Sequence, residues 1–295
     1  MGFLVEDVKI GHWTDIGNKT GCTVLHFPEG SIASGEVRGG SPATREFDLL
    51  APERTVKRID AVVMTGGSAF GLAAADGVVG HLAEAGIGYQ TTLGPVPIVV
   101  AMALYDLQEG NEKFFPGPNE GRAASVSCGD VGDKGVVTGR VGAGTGATVG
   151  TWWEKGYEKF GGLGLETACK DGISVSALFA VNAAGSLNNE ITSRSIVDGT
   201  FDMWPEFDTS PIEKRTNTTL GVVFTNARLT KLECFLVAQS SHDGIARALF
   251  PAHTRFDGDA VVVVSTGTKD FEGEVVDLVR VLATAVTEAA IQNAC

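Results

Sequence analysis

The sequence predicts one layered α/β domain in which two sheets lie between helices. Three observations point there. Apolar runs of strand length occur in both halves of the chain, at 61–64, 173–182, 220–224 and 260–264. Longer stretches with apolar residues at helical spacing alternate with them, at 69–85, 229–250 and 271–293. No internal repeat and no clear boundary divides the 295 residues, so residues 1–295 read as a single domain able to bury a substantial core.

Taken in order, residues 22–27 (Cys-Thr-Val-Leu-His-Phe) read as the first strand. A Gly-rich polar loop follows from Gly35 to Thr44, with a tight turn at Arg38-Gly39-Gly40-Ser41-Pro42. Asp60 leads into the strand at 61–64, and Thr65-Gly66-Gly67-Ser68 reverses the chain into a helix from Ala69 to Ala85, with Ser68 as its N-cap. A nucleophile elbow would need glycines two before and two after the serine. Gly66 satisfies the first and Phe70 fails the second, so Ser68 reads as a cap.

Residues 95–107 predict a second buried helix opened by proline, and 111–121 a loop. The run Val141 to Thr148 is glycine-rich but lacks the Gly-Lys-Ser/Thr ending of a phosphate loop, and Trp152-Trp153 follows where a helix would be needed. Ile173 to Asn182 is a strand ending in a polar residue. Ser186 to Asn217, with Pro205 and Pro211, predicts an exposed flexible linker that leads into Thr218. Leu220–Phe224 is the strand after it. A helix over 229–250 is expected to bend near Asp243-Gly244. Phe256-Asp257-Gly258-Asp259 turns into the strand at 260–264, and 271–293 closes the chain as an amphipathic helix with Val275, Val279, Leu282 and Val286 on its apolar side.

Composition narrows the function. Hydrophobic residues at 43% and charged ones at 20% describe an ordinary globular protein, and every apolar run is too short to cross a bilayer. Met1–Asp7 has no basic region followed by an apolar core. A cytoplasmic location is therefore the expectation, with the sequons at Asn18 and Asn217 idle. A formal charge of −13 argues against nucleic acid, whose phosphates need clustered Lys and Arg. Cys22, Cys128, Cys169, Cys234 and Cys295 are widely spaced and odd in number, as reduced thiols are. His12, His26, His81, His242 and His253 show no ligand spacing and read as structural.

The chemistry concentrates at Arg215-Thr216-Asn217-Thr218-Thr219-Leu220, a polar loop entering a buried strand. A threonine released as a new N-terminus carries nucleophile and base together: its Oγ attacks, and its α-amine, with an unperturbed pKa of about 7.7–8.0, takes the proton. By themselves these residues also fit a glycosylation acceptor, and such a tripeptide is most often only a loop-to-strand junction. Asp257-Gly258-Asp259 alone also fits a turn or a weak calcium pair, Asn182 a turn residue and Lys159 a solvated charge.

In combination the segments Asn217–Val223, Gly142–Ala147, Gly161–Gly164, Ala180–Ala183 and Asp257–Asp259 resemble the DmpA-type aminopeptidase family, in particular the branch containing 6-aminohexanoate-oligomer (nylon oligomer) hydrolase. That resemblance implies a four-layer αββα sandwich like that of N-terminal-nucleophile hydrolases. It implies scission between Asn217 and Thr218 into a large subunit, 1–217, and a small subunit, 218–295, that assemble as a homotetramer of processed protomers. It implies hydrolysis of small peptides or linear oligoamides without metal or cofactor. Thr218 matches the nucleophile, Asn182 the oxyanion donor, and Asp257 and Asp259 the acids that orient the hydroxyl and amine. Lys159 matches a catalytic lysine before a Gly-Gly-Leu-Gly turn, although Phe160 intervenes and Lys155 competes. Two alternatives stand beside this reading. One is an aminopeptidase that binds a free substrate amine, with Glu166 as the candidate acid; the other is an uncleaved scaffold that binds an anionic ligand at Gly142–Gly146.

Overall fold

Side chains that point alternately to two buried faces along the central strands decide how the layers stack. The computed structural model describes residues 5–110, 113–130, 136–153, 158–188, 190–202, 204, 217–271 and 273–295. In chain order the strands of the two main sheets begin with β1 (Lys9–Asp15), β2 (Thr20–His26), β3 (Ile32–Val37), β4 (Ala43–Arg45), β5 (Ala61–Thr65) and β6 (Val99–Ala103). They continue with β7 (Gly129–Asp130), β8 (Gly162–Lys170), β9 (Ile173–Asn182), β10 (Thr218–Ala227) and β11 (Ala260–Lys269). The helices are α1 (Ser68–Gly71), α2 (Ala74–Glu84), α3 (Pro118–Val126), α4 (Glu190–Val197), α5 (Lys231–Ala248) and α6 (Val275–Ala294).

The front sheet runs β4-β6-β5-β2-β1-β7 and the back sheet β8-β9-β10-β11-β3. Neighbours are antiparallel except β5 with β6 and β10 with β11. Each parallel pair is joined by a helical crossover, α1–α2 in front and α5 behind, because a tight hairpin cannot connect parallel strands.

Alternation then sorts the side chains into layers. In the back sheet Leu178, Ala180, Leu220, Val222, Phe224 and Val262 face the front sheet and meet Leu25, Val62, Met64, Val100 and Met102. Their neighbours Ala177, Phe179, Val181, Val223, Val261 and Val263 face the other way, onto Val237, Ile245, Val279, Ala283 and Val286 of α5 and α6. On the far side Cys22, Val24, Val63 and Ala101 pack against Ala74, Val78, Leu82 and Ala124 of α2 and α3. The result is the αββα sandwich that the resemblance implies. Emptying one such site, as in Phe224→Ala, is expected to cost about 3–5 kcal/mol.

Helix α5 shows how local signals and packing agree. Thr230 Oγ1 accepts the Glu233 N–H at 3.3 Å while the Glu233 carboxylate accepts the Thr230 N–H at 2.6 Å, a capping box. The helix then runs unbroken through Asp243-Gly244, where a bend was expected. Gly244 serves close packing instead: a Cβ there would lie 2.6 Å from the Thr284 carbonyl oxygen of α6.

Other expectations are corrected. Residues 95–107 hold no helix but a short strand, Gly94–Val96, and then β6, which is buried on both faces. A doubly buried strand has no period to read, so its apolar run looks the same as a buried helix. Gly162–Gly164 is not a turn but the start of β8, and part of the loop expected at 35–44 belongs to β3 and β4. A strand, β1, also precedes the one expected to be first. Ser68 makes no side-chain cap; Gly67 occupies that position, and Ser68 itself adopts a left-handed φ of 53°. The polar stretch 186–217 contains a short strand at Ser186–Leu187 and α4, while 189, 203 and 205–216 lie outside the described residues. Among the described residues no helix is long and apolar enough to cross a membrane.

Candidate active site

Two strands of the back sheet end at the same level. β9 stops at Asn182 and β10 starts at Thr218, and these two residues form the last rung of their antiparallel ladder. Directly opposed residues of such a pair share a face. Thr218 has the phase of Leu220 and Asn182 that of Ala180, so both side chains turn to the inter-sheet side.

The parallel neighbour β11 enters beside them. Asn217 bridges Asp257, and Leu220 pairs with Ala260, which sets Gly258 next to Thr218. Asp257 and Asp259 share the phase of Val261, so they face the helix side, flanking the strand that carries Thr218. Asp259 Oδ1 accepts the Thr219 N–H at 2.7 Å. Asp257 accepts from the Ala184 N–H at 3.2 Å, the Thr254 N–H at 2.9 Å and the Thr254 hydroxyl at 2.6 Å. Among the described residues neither carboxylate bonds Thr218 itself. Burial, reinforced by the Asp259 charge, pushes the Asp257 carboxyl above the usual carboxylate range.

Asn182 is locked from both ends. Its Oδ1 accepts the Thr148 N–H at 2.9 Å, and its Nδ2 donates to the Tyr105 carbonyl oxygen of the front sheet side at 2.9 Å. An amide nitrogen has two hydrogens, so one Nδ2–H remains for another acceptor. The hydroxyl of Thr218 donates to the carbonyl oxygen of Asn217.

Lys159 is not brought into this group. It pairs with Val149 in a two-residue ribbon, is exposed, and lies close enough to Cys295 for its charge to act on that thiol. Phe160, its neighbour, is the residue opposite Thr148. Lys155 lies outside the described residues. Glu166 is occupied at a distance from the site, by the Thr167 N–H and the Asn293 amide of α6. The Gly142–Thr145 amides are likewise committed: they donate to Thr14 Oγ1, Thr23 Oγ1, and the carbonyls of Val141 and Gly142.

Sequence reasoning missed His253. Its Nδ1 lies 2.8 Å from Asp259 Oδ2, which also accepts the His253 backbone N–H at 3.1 Å. A left-handed φ of 56° at His253 brings ring and amide to one oxygen, and nothing in the spacing announces that turn. Burial pulls the imidazole down, but the bonded Asp259 carboxylate outweighs it and leaves the pKa above the ordinary value. His242, whose ring meets it edge-on at 4.9 Å, is driven down to about 4 by burial. Among the described residues no three His, Cys, Asp or Glu side chains are grouped to hold a metal ion.

Four layers, with a buried hydroxyl heading a central strand, are the architecture of N-terminal-nucleophile hydrolases. The fold is shared with the solved L-aminopeptidase D-Ala-esterase/amidase of Ochrobactrum anthropi, at a TM-score of 0.71 and 20% identity over 98% of this chain and 84% of that one. The chain belongs to peptidase family S58, whose model matches residues 4–295. An uncharacterized aminopeptidase of Mycobacterium leprae is 34% identical over 287 residues, 89% of this chain and 77% of that protein. A 6-aminohexanoate-oligomer endohydrolase of an Agromyces species is 27% identical over 288 residues, 92% of this chain and 76% of that one. The protein is therefore a hydrolase of amide or peptide bonds.

Proposed function

We propose that the chain cuts itself between Asn217 and Thr218 and then hydrolyses amides with Thr218 as an N-terminal nucleophile. Residues 1–217 and 218–295 stay together because β10 and β11 of the second piece are hydrogen-bonded between β9 and β3 of the first. The observation that carries the reading is the last rung of the ladder, Asn182 opposite Thr218, with the Thr218 hydroxyl already against the carbonyl that would be cut.

In turnover the Thr218 Oγ attacks the substrate carbonyl carbon and its proton passes to the free α-amine. The remaining Nδ2–H of Asn182 donates to the oxyanion. The C–N bond breaks as the amine leaving group takes the proton, leaving an ester on Oγ. Water, deprotonated by the α-amine, attacks that ester and releases the acid. Asp259 fixes the strand through Thr219, and Asp257 fixes the turn at 254–257 that runs beside it. Lys159 has no role in this scheme.

Small peptides and linear oligoamides are the substrates, in a cytoplasmic homotetramer of processed protomers. Intact-mass measurement of the purified protein tests the reading, followed by a panel of amino-terminal amides, β-peptides and linear oligoamides. Two fragments meeting at 217/218 and turnover of one substrate class are expected. A chain that stays whole while hydrolysing amides would sink it. Preference for substrates with a free amine would select the aminopeptidase form over the endo-acting one.

A further inference from the structure

The bond between Asn217 and Thr218 is gripped from three sides. The Asn217 N–H donates to the Phe256 carbonyl at 3.2 Å, the Gly258 N–H donates to the Asn217 carbonyl oxygen at 3.0 Å, and the Thr151 hydroxyl donates to Asn217 Oδ1 at 2.8 Å. The first two are the bonds of a parallel bridge, so the peptide to be cut is an ordinary rung of the back sheet. The third comes from a turn that is itself fixed: the Gly150 N–H donates to the Gly185 carbonyl at 2.9 Å and the Trp152 N–H to the Ala184 carbonyl at 2.8 Å. The Thr151 hydroxyl is therefore held in place before any reaction begins.

Gly258 has a steric reason to be glycine. A Cβ there would fall 2.8 Å from both Thr218 Oγ1 and the Ser41 carbonyl oxygen. Any side chain would drive the hydroxyl off the carbonyl it must attack. The Gly258 N–H meanwhile sits at the distance an oxyanion donor needs, on the very oxygen that would become negative.

We infer that the Gly258 N–H is the oxyanion donor for the chain's own scission, and that Thr151 is a positioning residue that holds Asn217 for it. The inference rests on the self-processing reading above. The Thr218 Oγ bonds to the Asn217 carbonyl carbon and the oxygen gains charge against the Gly258 N–H. The C–N bond then breaks, and the hydroxyl proton ends on the Thr218 nitrogen. The product is an Asn217 ester with a free amine, and one water hydrolyses it to the Asn217 carboxylate and the Thr218 hydroxyl. The Thr148-to-Asn182 side of the site takes no part, so one nucleophile is served by separate donors in its two reactions.

The test follows fragment appearance in freshly synthesised full chains by intact mass. Thr151→Val, which removes only the hydroxyl, is expected to slow scission about tenfold or more, and Thr151→Ser to restore it. Gly258→Ala is expected to slow scission by roughly a hundredfold while thermal unfolding reports a folded chain. Wild-type scission rates in Thr151→Val, or in a folded Gly258→Ala, overturn the inference. If Gly258→Ala does not fold, the Thr151→Val and Thr151→Ser pair decides alone: slow and restored supports it, equal rates overturn it. A wild-type chain that never splits at 217/218 instead defeats the self-processing reading.

Discussion

The His253 imidazole and the Asp259 carboxylate meet at 2.8 Å, one residue away from the nucleophile. Asp259 spends its other oxygen on the Thr219 N–H, so the histidine, the acid and the strand that carries Thr218 form one connected unit. Both ring nitrogens of His253 face acceptors, Asp259 Oδ2 and, at 3.4 Å, the His242 carbonyl, which favours the charged ring.

His253 is therefore expected to position Asp259. His253→Leu should lower kcat roughly tenfold with little change in KM, and His253→Asn, which tolerates the left-handed backbone and keeps a donor, should recover part of it. The pH sign follows from the raised pKa. Stability from the charged ring is full below the unfolded value of about 6.5 and is lost as pH rises through the folded one. The stability gap between wild type and His253→Asn should thus shrink above that value. Steady-state kinetics and thermal unfolding across pH 5–9 check both statements; a kcat indifferent to His253→Leu refutes the role.

Thr218→Ala removes the hydroxyl and leaves the strand intact. The chain should remain full length and show no turnover, with an unfolding temperature near that of a wild-type chain. Residual turnover in that variant would falsify the assignment of the nucleophile.

For Asn182 the expected loss is in kcat. Asn182→Ala deletes the free Nδ2–H as well as the bonds to Thr148 and Tyr105, and a missing oxyanion donor typically costs about 10²–10³ in rate. A drop of less than fivefold in a folded, processed variant would place the donor elsewhere.

Asp106 offers a prediction about stability. It is buried beside Tyr105 with Oδ1 on the Gly67 N–H at 2.7 Å and the Thr20 hydroxyl close to its carboxylate. Burial pushes its carboxyl up to about 6 from 3.8. Between these values the unfolded chain loses a proton that the fold keeps, so stability falls as pH rises through that window. Asp106→Asn escapes the loss, and its Nδ2 can reach toward Thr20. Relative to wild type it should gain up to about 3 kcal/mol between pH 4 and pH 7. Urea unfolding at the two pH values measures this; parallel pH profiles would contradict it.

Much of the architecture was legible in the residues. The strand at Ile173–Asn182 appears with the bounds read for it, and the last two long helices follow from spacing. β6 was misread because burial on both faces erases its period. At the site, Thr218, Asn182, Asp257 and Asp259 could be named from segments that resemble a family, and the strands do gather them. Lys159 could also be named, yet it lies on an exposed ribbon outside the group. The partners that hold the group were invisible: Tyr105 is 77 residues from Asn182, Thr148 is 34, and Thr151 is 66 from Asn217. No local pattern links residues so far apart.

The amino-acid sequence by itself determined the layered α/β class, the family and the polar residues that end the central strands, because periodicity and motif are local properties. Which face each of those residues takes, which N–H of Asn182 stays open, and which histidine joins the acids were decided only by strand register and by one left-handed turn. Those depend on pairings between distant parts of the chain, and hydrogen bonds there exist only once the sheets have closed on each other.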